Sequence, residues 1–169
     1  MDSVILQPEY WTHVAVAVAC GAAIGLERQW RGKPAGIRTS SLICLGAASF
    51  VRLSIDVVGD GYSGSDATRV LGQVVVGVGF LGGGVIMNRG AEVVGLTSAA
   101  VIWILAGIGA AAGMGRADEA IALTLTTLLV LSGVEAAENW LPTLRAGPYA
   151  HKDAEPPVQP DSDWSGPLP

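Results

Sequence analysis

Five long apolar stretches constrain this chain more than any other feature of its sequence. They cover Trp11–Trp30, Thr39–Val58, Val70–Met87, Leu96–Met114 and Ala120–Leu141. A helix that crosses the hydrocarbon core of a bilayer needs about 20 mostly apolar residues, and each stretch comes close to that length. Only 15% of the residues are charged, and a soluble domain of 169 residues could not bury so much apolar surface. The sequence therefore predicts an all-α integral membrane protein with five transmembrane helices.

The basic residues between these stretches predict the orientation of the chain. Short loops rich in Lys and Arg stay on the cytoplasmic side of a membrane. Only Arg69 and Arg116 would lie in loops on one side. The opposite side would hold seven basic residues: Arg28, Arg31, Lys33, Arg38, Arg89, Arg145 and Lys152. We therefore predict that the N-terminus is outside and the C-terminus is in the cytoplasm.

The last part of the chain, residues 142–169, differs in composition from the rest. It holds seven of the nine prolines and four acidic residues, Asp153, Glu155, Asp161 and Asp163. A segment of this kind buries too little apolar surface to offset the entropy lost on ordering. We expect a transmembrane domain over residues 1–141, followed by a Pro-rich, acidic, disordered cytoplasmic tail over residues 142–169. The net charge of −5 argues against a nucleic acid partner.

The order of residues around two glycines indicates an internal repeat. Gly21 and Gly82 are each followed seven residues later by an arginine, Arg28 and Arg89. A glycine, an aliphatic residue and a Thr-Ser pair come next in both segments. Helices 1–2 and 3–4 would then be parallel hairpins related by an axis along the membrane normal, with helix 5 unmatched. The alternative is that Gly-rich helices resemble one another through composition alone.

Glycines inside the apolar stretches have two interpretations. The run Gly77–Gly82 matches GxGxxG, but a dinucleotide site needs a βαβ unit around this motif, and its neighbours here are predicted membrane spans. The better interpretation is close packing of helix backbones, which small residues four apart permit in lipid. The predicted packing positions are Gly21, Gly25, Gly79, Gly82, Gly83, Gly109 and Gly113.

Polar residues at the cytoplasmic ends of the predicted helices form the candidate functional site. A carboxylate among arginines at membrane depth costs less when it is paired, which favours a network that ties the two cytoplasmic loops together. Its predicted members are Glu27, Arg28, Arg38, Thr39, Asn88 and Arg89. The alternative is a solvated positive loop that the orientation rule alone explains.

Two further ion pairs are predicted from helical spacing. Glu27 and Arg31, and likewise Arg52 and Asp56, are four residues apart and would face each other on a helix. Glu135 is an ionisable group near the inner end of helix 5, where it could also reach the membrane interface.

No arrangement of residues in the sequence points to catalysis. His13 is alone in helix 1, and neither cysteine belongs to a CxxC or Cys/His grouping. Cys20 and Cys44 fall inside apolar runs, where we expect small buried hydrophobic side chains. The sequence therefore predicts no enzyme activity, no metal site and no cofactor.

Four ordered motifs resemble the MgtC/SapB family of bacterial inner-membrane proteins. They are Gly21–Arg28, Ala35–Thr39, Gln73–Ile86 and Gly95–Ala100. The resemblance covers roughly residues 8–141 and leaves the tail outside. It implies a multi-pass protein of the bacterial inner membrane that is linked to magnesium homeostasis and, in pathogens, to virulence. The tail stands where the virulence member has a soluble regulatory domain, so this chain is similar to the short, SapB-like members.

The resemblance implies a regulator or scaffold that binds other membrane proteins, including the membrane sector of the ATP synthase. A homo-oligomer is also left open. The alternative function is a small oligomeric channel or transporter for a cation such as Mg²⁺, with Glu27, Asn88 and Glu135 near its inner mouth. Few acidic residues lie within the predicted spans, so one chain alone would provide a poor cation pathway.

Overall fold

Five helices and one short hairpin make up the described part of the chain. The computed structural model describes residues 7–58, 65–89 and 92–140, so the predicted tail lies outside the described residues. The helices are α1 (Pro8–Trp30), α2 (Ile37–Val58), α3 (Ser65–Gly83), α4 (Leu96–Gly113) and α5 (Ala117–Trp140). Residues 1–132 and 133–169 form two compact units, and only the last turns of α5 are described in the second.

The predicted all-α membrane fold is confirmed. Three described helices are long and apolar enough to cross a membrane, over Pro8–Trp30, Leu96–Gly113 and Ala117–Val134. The apolar part of α3, Arg69–Gly83, is shorter, and α2 carries three charged residues that lower its hydropathy. The number of spans, five, and the orientation of the chain remain predictions.

The predicted end of the third span is wrong. The span was expected to reach Met87, but α3 ends at Gly83, and an antiparallel hairpin of β1 (Met87–Arg89) and β2 (Glu92–Val94) follows. Three successive glycines weaken the helix at this point, and the β-branched residues that come next favour extended backbone. The hairpin returns the chain to Gly95, whose φ of +94° suits glycine and begins α4.

The core lies between α1, α2 and α4. Its fully buried side chains include Ile24 from α1, Cys44 from α2, and Leu105 and Ile108 from α4. Helix α3 packs on α2 and α4, while α5 contributes Ala120, Leu128 and Leu131 to the edge of the core. Cys20 and Cys44 are buried and unbridged, as the sequence predicts.

The helix contacts follow the order of the predicted repeat. Helix α1 packs on α2 and α4, and α3 packs on α4 and α2, with α2 against α4 at the centre. A Cβ added at Gly21 would lie 2.8 Å from the Cα of Ser41, and one at Gly82 would lie 3.8 Å from the Cα of Ala99. Ser41 and Ala99 each follow the Thr-Ser pair of their own hairpin. The same contact is therefore made once in each hairpin.

The predicted packing glycines have different surroundings. A Cβ at Gly25 would come within 2.6 Å of Ile37 Cα on α2. Cβ atoms at Gly109 and Gly113 on α4 would each lie 2.8 Å from a Cα atom of α2. These backbones approach so closely because a side chain is missing. By contrast, a Cβ at Gly79 or Gly83 would meet no described atom within 4 Å. That face of α3 does not pack against another described helix of this chain.

Candidate functional site

Arg28 is a buried cation in the last turn of α1. Only 3% of its surface is exposed, and its Nη2 donates a hydrogen bond of 2.7 Å to the Oγ of Ser98. Its Nε also donates to the carbonyl oxygen of Pro34, at 3.5 Å. Ser98 lies in the first turn of α4 and is itself 4% exposed. This buried bond joins the first helix hairpin to the second, as does a bond that Cys44 Sγ donates to the carbonyl oxygen of Leu105 at 3.2 Å.

Glycines place the two partners of this bond. Because Gly21 and Gly25 have no side chain, α1 packs directly on the start of α2. This close packing buries the last turn of α1, which contains Arg28. On the other side, Gly95 turns the chain through a left-handed conformation, and a Cβ there would overlap the carbonyl oxygen of Val85. Because α4 begins immediately after this turn, the Ser98 hydroxyl meets the guanidinium.

The hydrogen bond to Ser98 offsets part of the cost of burying the Arg28 guanidinium. A helix N-terminus carries partial positive charge, so the first turn of α4 does not itself stabilise a cation. Burying a charge is costly unless hydrogen bonds replace water. The Ser98 oxygen supplies such a bond, and hydrogen bonds to charged groups contribute about 1.5–3 kcal/mol.

A second polar group lies on the surface of the same helix end. Glu27 Oε1 and Arg31 Nε are 2.6 Å apart, which confirms the pairing predicted from their spacing. Arg31 Nη2 also donates to the Oγ of Ser132 on α5, at 3.4 Å. These three residues line a cleft of about 490 Å³ together with Trp30. The cleft has charged groups and a broad aromatic ring beside it.

The predicted polar network is only partly within the described residues. Arg38 and Thr39 are exposed, and no hydrogen bond joins them to Glu27 or Arg28 in the described part of the chain. The side chains of Asn88 and Arg89 fall outside the described residues. The bond between charged and polar side chains that links the two hairpins in the described residues is the one from Arg28 to Ser98.

Ser98 and Ser132 are site residues that the sequence interpretation did not identify. Ser98 belongs to the Thr-Ser pair of the second repeat segment, so the repeat marked its position without marking its partner. Ser132 carries no comparable signal, because its contact with Arg31 depends on how α5 packs. A serine inside an apolar helix is usually bonded to its own backbone.

Other predicted groups have clear positions. Arg52 and Asp56 form the expected ion pair on α2, with Nε and Oδ1 3.3 Å apart. The side chain of Glu135 lies outside the described residues. Among the side chains that the structure describes, no three His, Cys, Asp or Glu residues come close enough to hold a metal ion.

Comparison with known proteins identifies the family. A family model described as the MgtC family matches residues 14–140, which include all five helices except the first turns of α1. The chain belongs to the MgtC family. The buried Arg28, its partner Ser98 and the packing glycines of α1 and α4 therefore lie within the MgtC-family region.

Several curated proteins resemble this MgtC-family chain. One is an Escherichia coli K12 protein named "Putative magnesium transporter YhiD", 48% identical over 122 residues, which are 70% of this chain and 56% of that protein. Another is the protein MgtC of Salmonella choleraesuis, 39% identical over 150 residues, which are 87% of this chain and 63% of that protein. The chain thus spans little more than half the length of these relatives. No solved structure matches it.

Proposed function

We propose that this chain is a multi-pass protein of the bacterial inner membrane that acts in magnesium homeostasis by binding a helix of another membrane protein, and that it is not an enzyme. Its family and the printed names of its relatives support the link to magnesium. Five spans with the N-terminus outside agree with the five helices and with the distribution of basic residues. An ATP synthase partner, and a role in virulence, remain predictions from the family resemblance.

The observation that supports helix binding most strongly is a groove between α2 and α3. It has a volume of about 890 Å³ and mostly apolar walls. Its α2 wall extends from Thr39 to Ser54, which is about 22 Å along the helix axis. A lipid tail fills one leaflet, or about 15 Å of the hydrocarbon core. The groove would contact about three quarters of a spanning helix, which is about 30 Å long, and it is longer than a lipid tail needs.

The composition of the α3 wall also suits a helix. Gly77 lines the groove, and a Cβ added there would meet no described atom within 4 Å. Gln73 lines it one turn away, is exposed, and forms no hydrogen bond with the described residues. Small residues permit close backbone approach, and amide side chains bond across helices where no water is present. An incoming helix would use both features.

Transport of Mg²⁺ is the second candidate, because the name of one relative describes a magnesium transporter. The space between α1, α2 and α4 is filled by apolar side chains such as Ile24, Leu105 and Ile108. A hydrated Mg²⁺ ion binds oxygen ligands and loses its waters reluctantly. A route for the ion would therefore have to avoid this core, and it would lie at the surface of the described helices or between several copies of the chain.

Filling the groove should abolish function without unfolding the protein. In Gly77→Leu the new side chain enters open space, so we expect normal accumulation in the membrane but no access for a partner helix. The variant would be expressed in a bacterium that lacks its own MgtC-family protein. Growth and cell magnesium content under magnesium limitation should fall to the level of the empty vector.

Gly72→Leu is the matched control, because Gly72 is also open but does not line the groove. It should behave like the parent chain. Full activity of Gly77→Leu would contradict the docking proposal. Saturable Mg²⁺ entry into liposomes that contain only the purified chain and a magnesium-sensitive dye would favour transport instead. If the partner is a second copy, Gly77→Leu should lower the oligomer size measured by chromatography.

The predicted orientation can be tested in intact cells. Ser63→Cys places a thiol in the loop between α2 and α3, which we expect outside, and Lys33→Cys places one in the loop that we expect in the cytoplasm. A membrane-impermeant thiol reagent should label the first variant and not the second. The native cysteines are buried and give the background level in the parent. If only Lys33→Cys were labelled, the orientation would be the opposite of the predicted one.

A further inference from the structure

We propose that the cleft between the cytoplasmic end of α1 and α5 binds a zwitterionic phospholipid, with the headgroup phosphate on Arg31 and the headgroup ammonium on Glu27. The cleft, here called the α1–α5 cleft, has a volume of about 490 Å³. It is lined by Ala23, Leu26, Glu27, Trp30, Arg31 and Ser132. Neither the family nor the helix-binding groove on α2 and α3 accounts for it.

The lining of the α1–α5 cleft changes from apolar to charged along α1. Ala23 and Leu26 line the end nearer the middle of the helix, and Arg31 follows its last residue. The distance from residue 23 to residue 31 is about 12 Å along the axis. This length is too short for a spanning helix, but it suits a headgroup and the first carbons of an acyl chain. The cleft therefore has the amphipathic profile of a lipid.

Trp30 places the cleft at a membrane interface. Its side chain is 87% exposed at the end of a helix that is long enough to span the bilayer. Indole rings at such positions prefer the headgroup region. Because the basic loop after α1 is predicted to be cytoplasmic, the lipid would come from the inner leaflet.

The charges in the cleft select the type of headgroup. Arg31 offers a planar set of N–H donors that matches phosphate oxygens, and the nearby Ser132 hydroxyl can also donate. Glu27 lies beside them with 11% of its side chain exposed. Its carboxylate would repel a purely anionic lipid, but it would attract an ammonium group next to the phosphate. The site thus complements a headgroup that carries both charges.

One carboxylate oxygen of Glu27 also lacks a hydrogen-bond donor among the described residues. Its Oε1 pairs with Arg31, but its Oε2 is enclosed and has no hydrogen-bond partner in the described part of the chain. An unsatisfied buried carboxylate oxygen is costly. The terminal torsion of a glutamate is soft, so a small rotation turns this oxygen toward the cleft. The ammonium of the lipid supplies the missing donor.

Thermal unfolding of the purified full-length chain in mild detergent tests the proposal. Phosphatidylethanolamine should raise the unfolding temperature in a saturable way, and phosphatidylglycerol should raise it less. Soluble phosphoethanolamine should have no effect, because the apolar end of the cleft needs an acyl chain. Arg31→Gln and Glu27→Gln should each weaken lipid binding about tenfold, since each loses one charge-assisted hydrogen bond.

Arg52→Gln provides the matched control, because Arg52 and Asp56 form the same type of pair on α2 away from the cleft. It should keep the full response to phosphatidylethanolamine. Native mass spectrometry of each variant that remains monodisperse counts bound lipids independently of stability. An equal or larger response to phosphatidylglycerol would contradict the zwitterionic site. A site in the cleft would be contradicted if no lipid were bound, or if Arg52→Gln weakened lipid binding as much as Arg31→Gln and Glu27→Gln.

Discussion

Gly109→Ala is expected to destabilise the chain by about 3 kcal/mol, because the added methyl group has no space. Its Cβ would lie 2.8 Å from the Cα of Cys44 and would overlap the carbonyl oxygen of the same residue. Backbone atoms cannot rotate away as a flexible side chain can, so α4 and α2 would have to separate. Overpacking of a close-packed core typically costs about 1–3 kcal/mol. Thermal unfolding in mild detergent, followed by circular dichroism, measures the effect.

Gly107→Ala is the control for this prediction. It makes the same change two residues away on α4, where a Cβ meets no described atom within 4 Å. We expect a neutral or slightly stabilising effect, since alanine favours helix by up to about 1 kcal/mol over glycine. Equal unfolding temperatures for the two variants would mean that α4 does not approach α2 through this glycine.

Ser98→Ala is expected to cost about 2–3 kcal/mol, more than replacing the arginine that it binds. The substitution leaves Nη2 of Arg28 buried without its 2.7 Å acceptor, and an unsatisfied buried group loses its full hydration. Arg28→Met removes the charge and keeps most of the volume, so its cost should be small. Comparing the unfolding temperatures of the two single variants checks this order.

The double variant Arg28→Met/Ser98→Ala completes the test. Once the guanidinium is gone, loss of the hydroxyl should add little, so the double variant should be more stable than Ser98→Ala alone. Ser132→Ala, which removes a longer and exposed bond of 3.4 Å, should have a small effect. Additive losses in the double variant would show that Arg28 and Ser98 do not stabilise the fold through each other.

The sequence predicted the helices well because hydropathy over about 20 residues is a strong signal. It also predicted the pairs Glu27–Arg31 and Arg52–Asp56, since four-residue spacing fixes their geometry on one helix. The end of α3 was misplaced because Val85 and Ile86 are as apolar as a membrane span. Only the conformational weakness of the glycines before them distinguishes a hairpin from a longer helix.

Contacts between helices were much harder to predict. Arg28 and Ser98 are 70 residues apart, and their bond depends on the relative position of two helices from different hairpins. The glycine pairs make the same point. Gly109 and Gly113 meet α2, whereas Gly79 and Gly83 with the same spacing meet no described atom within 4 Å. Spacing shows that a helix can be approached closely, but the partner depends on the tertiary arrangement.

The bond between Arg28 and Ser98 has a consequence for biogenesis. Helix α1 leaves the ribosome long before α4. During synthesis Arg28 is therefore present before the Ser98 oxygen that later accepts its hydrogen bond. A chain that stops before α4 also lacks the glycines that close onto α2. In such a fragment Arg28 can still donate from Nε to the carbonyl oxygen of Pro34, but its Nη2 has lost the buried acceptor on α4. The buried end of α1 therefore reaches its final hydrogen bonding only when the second hairpin is complete.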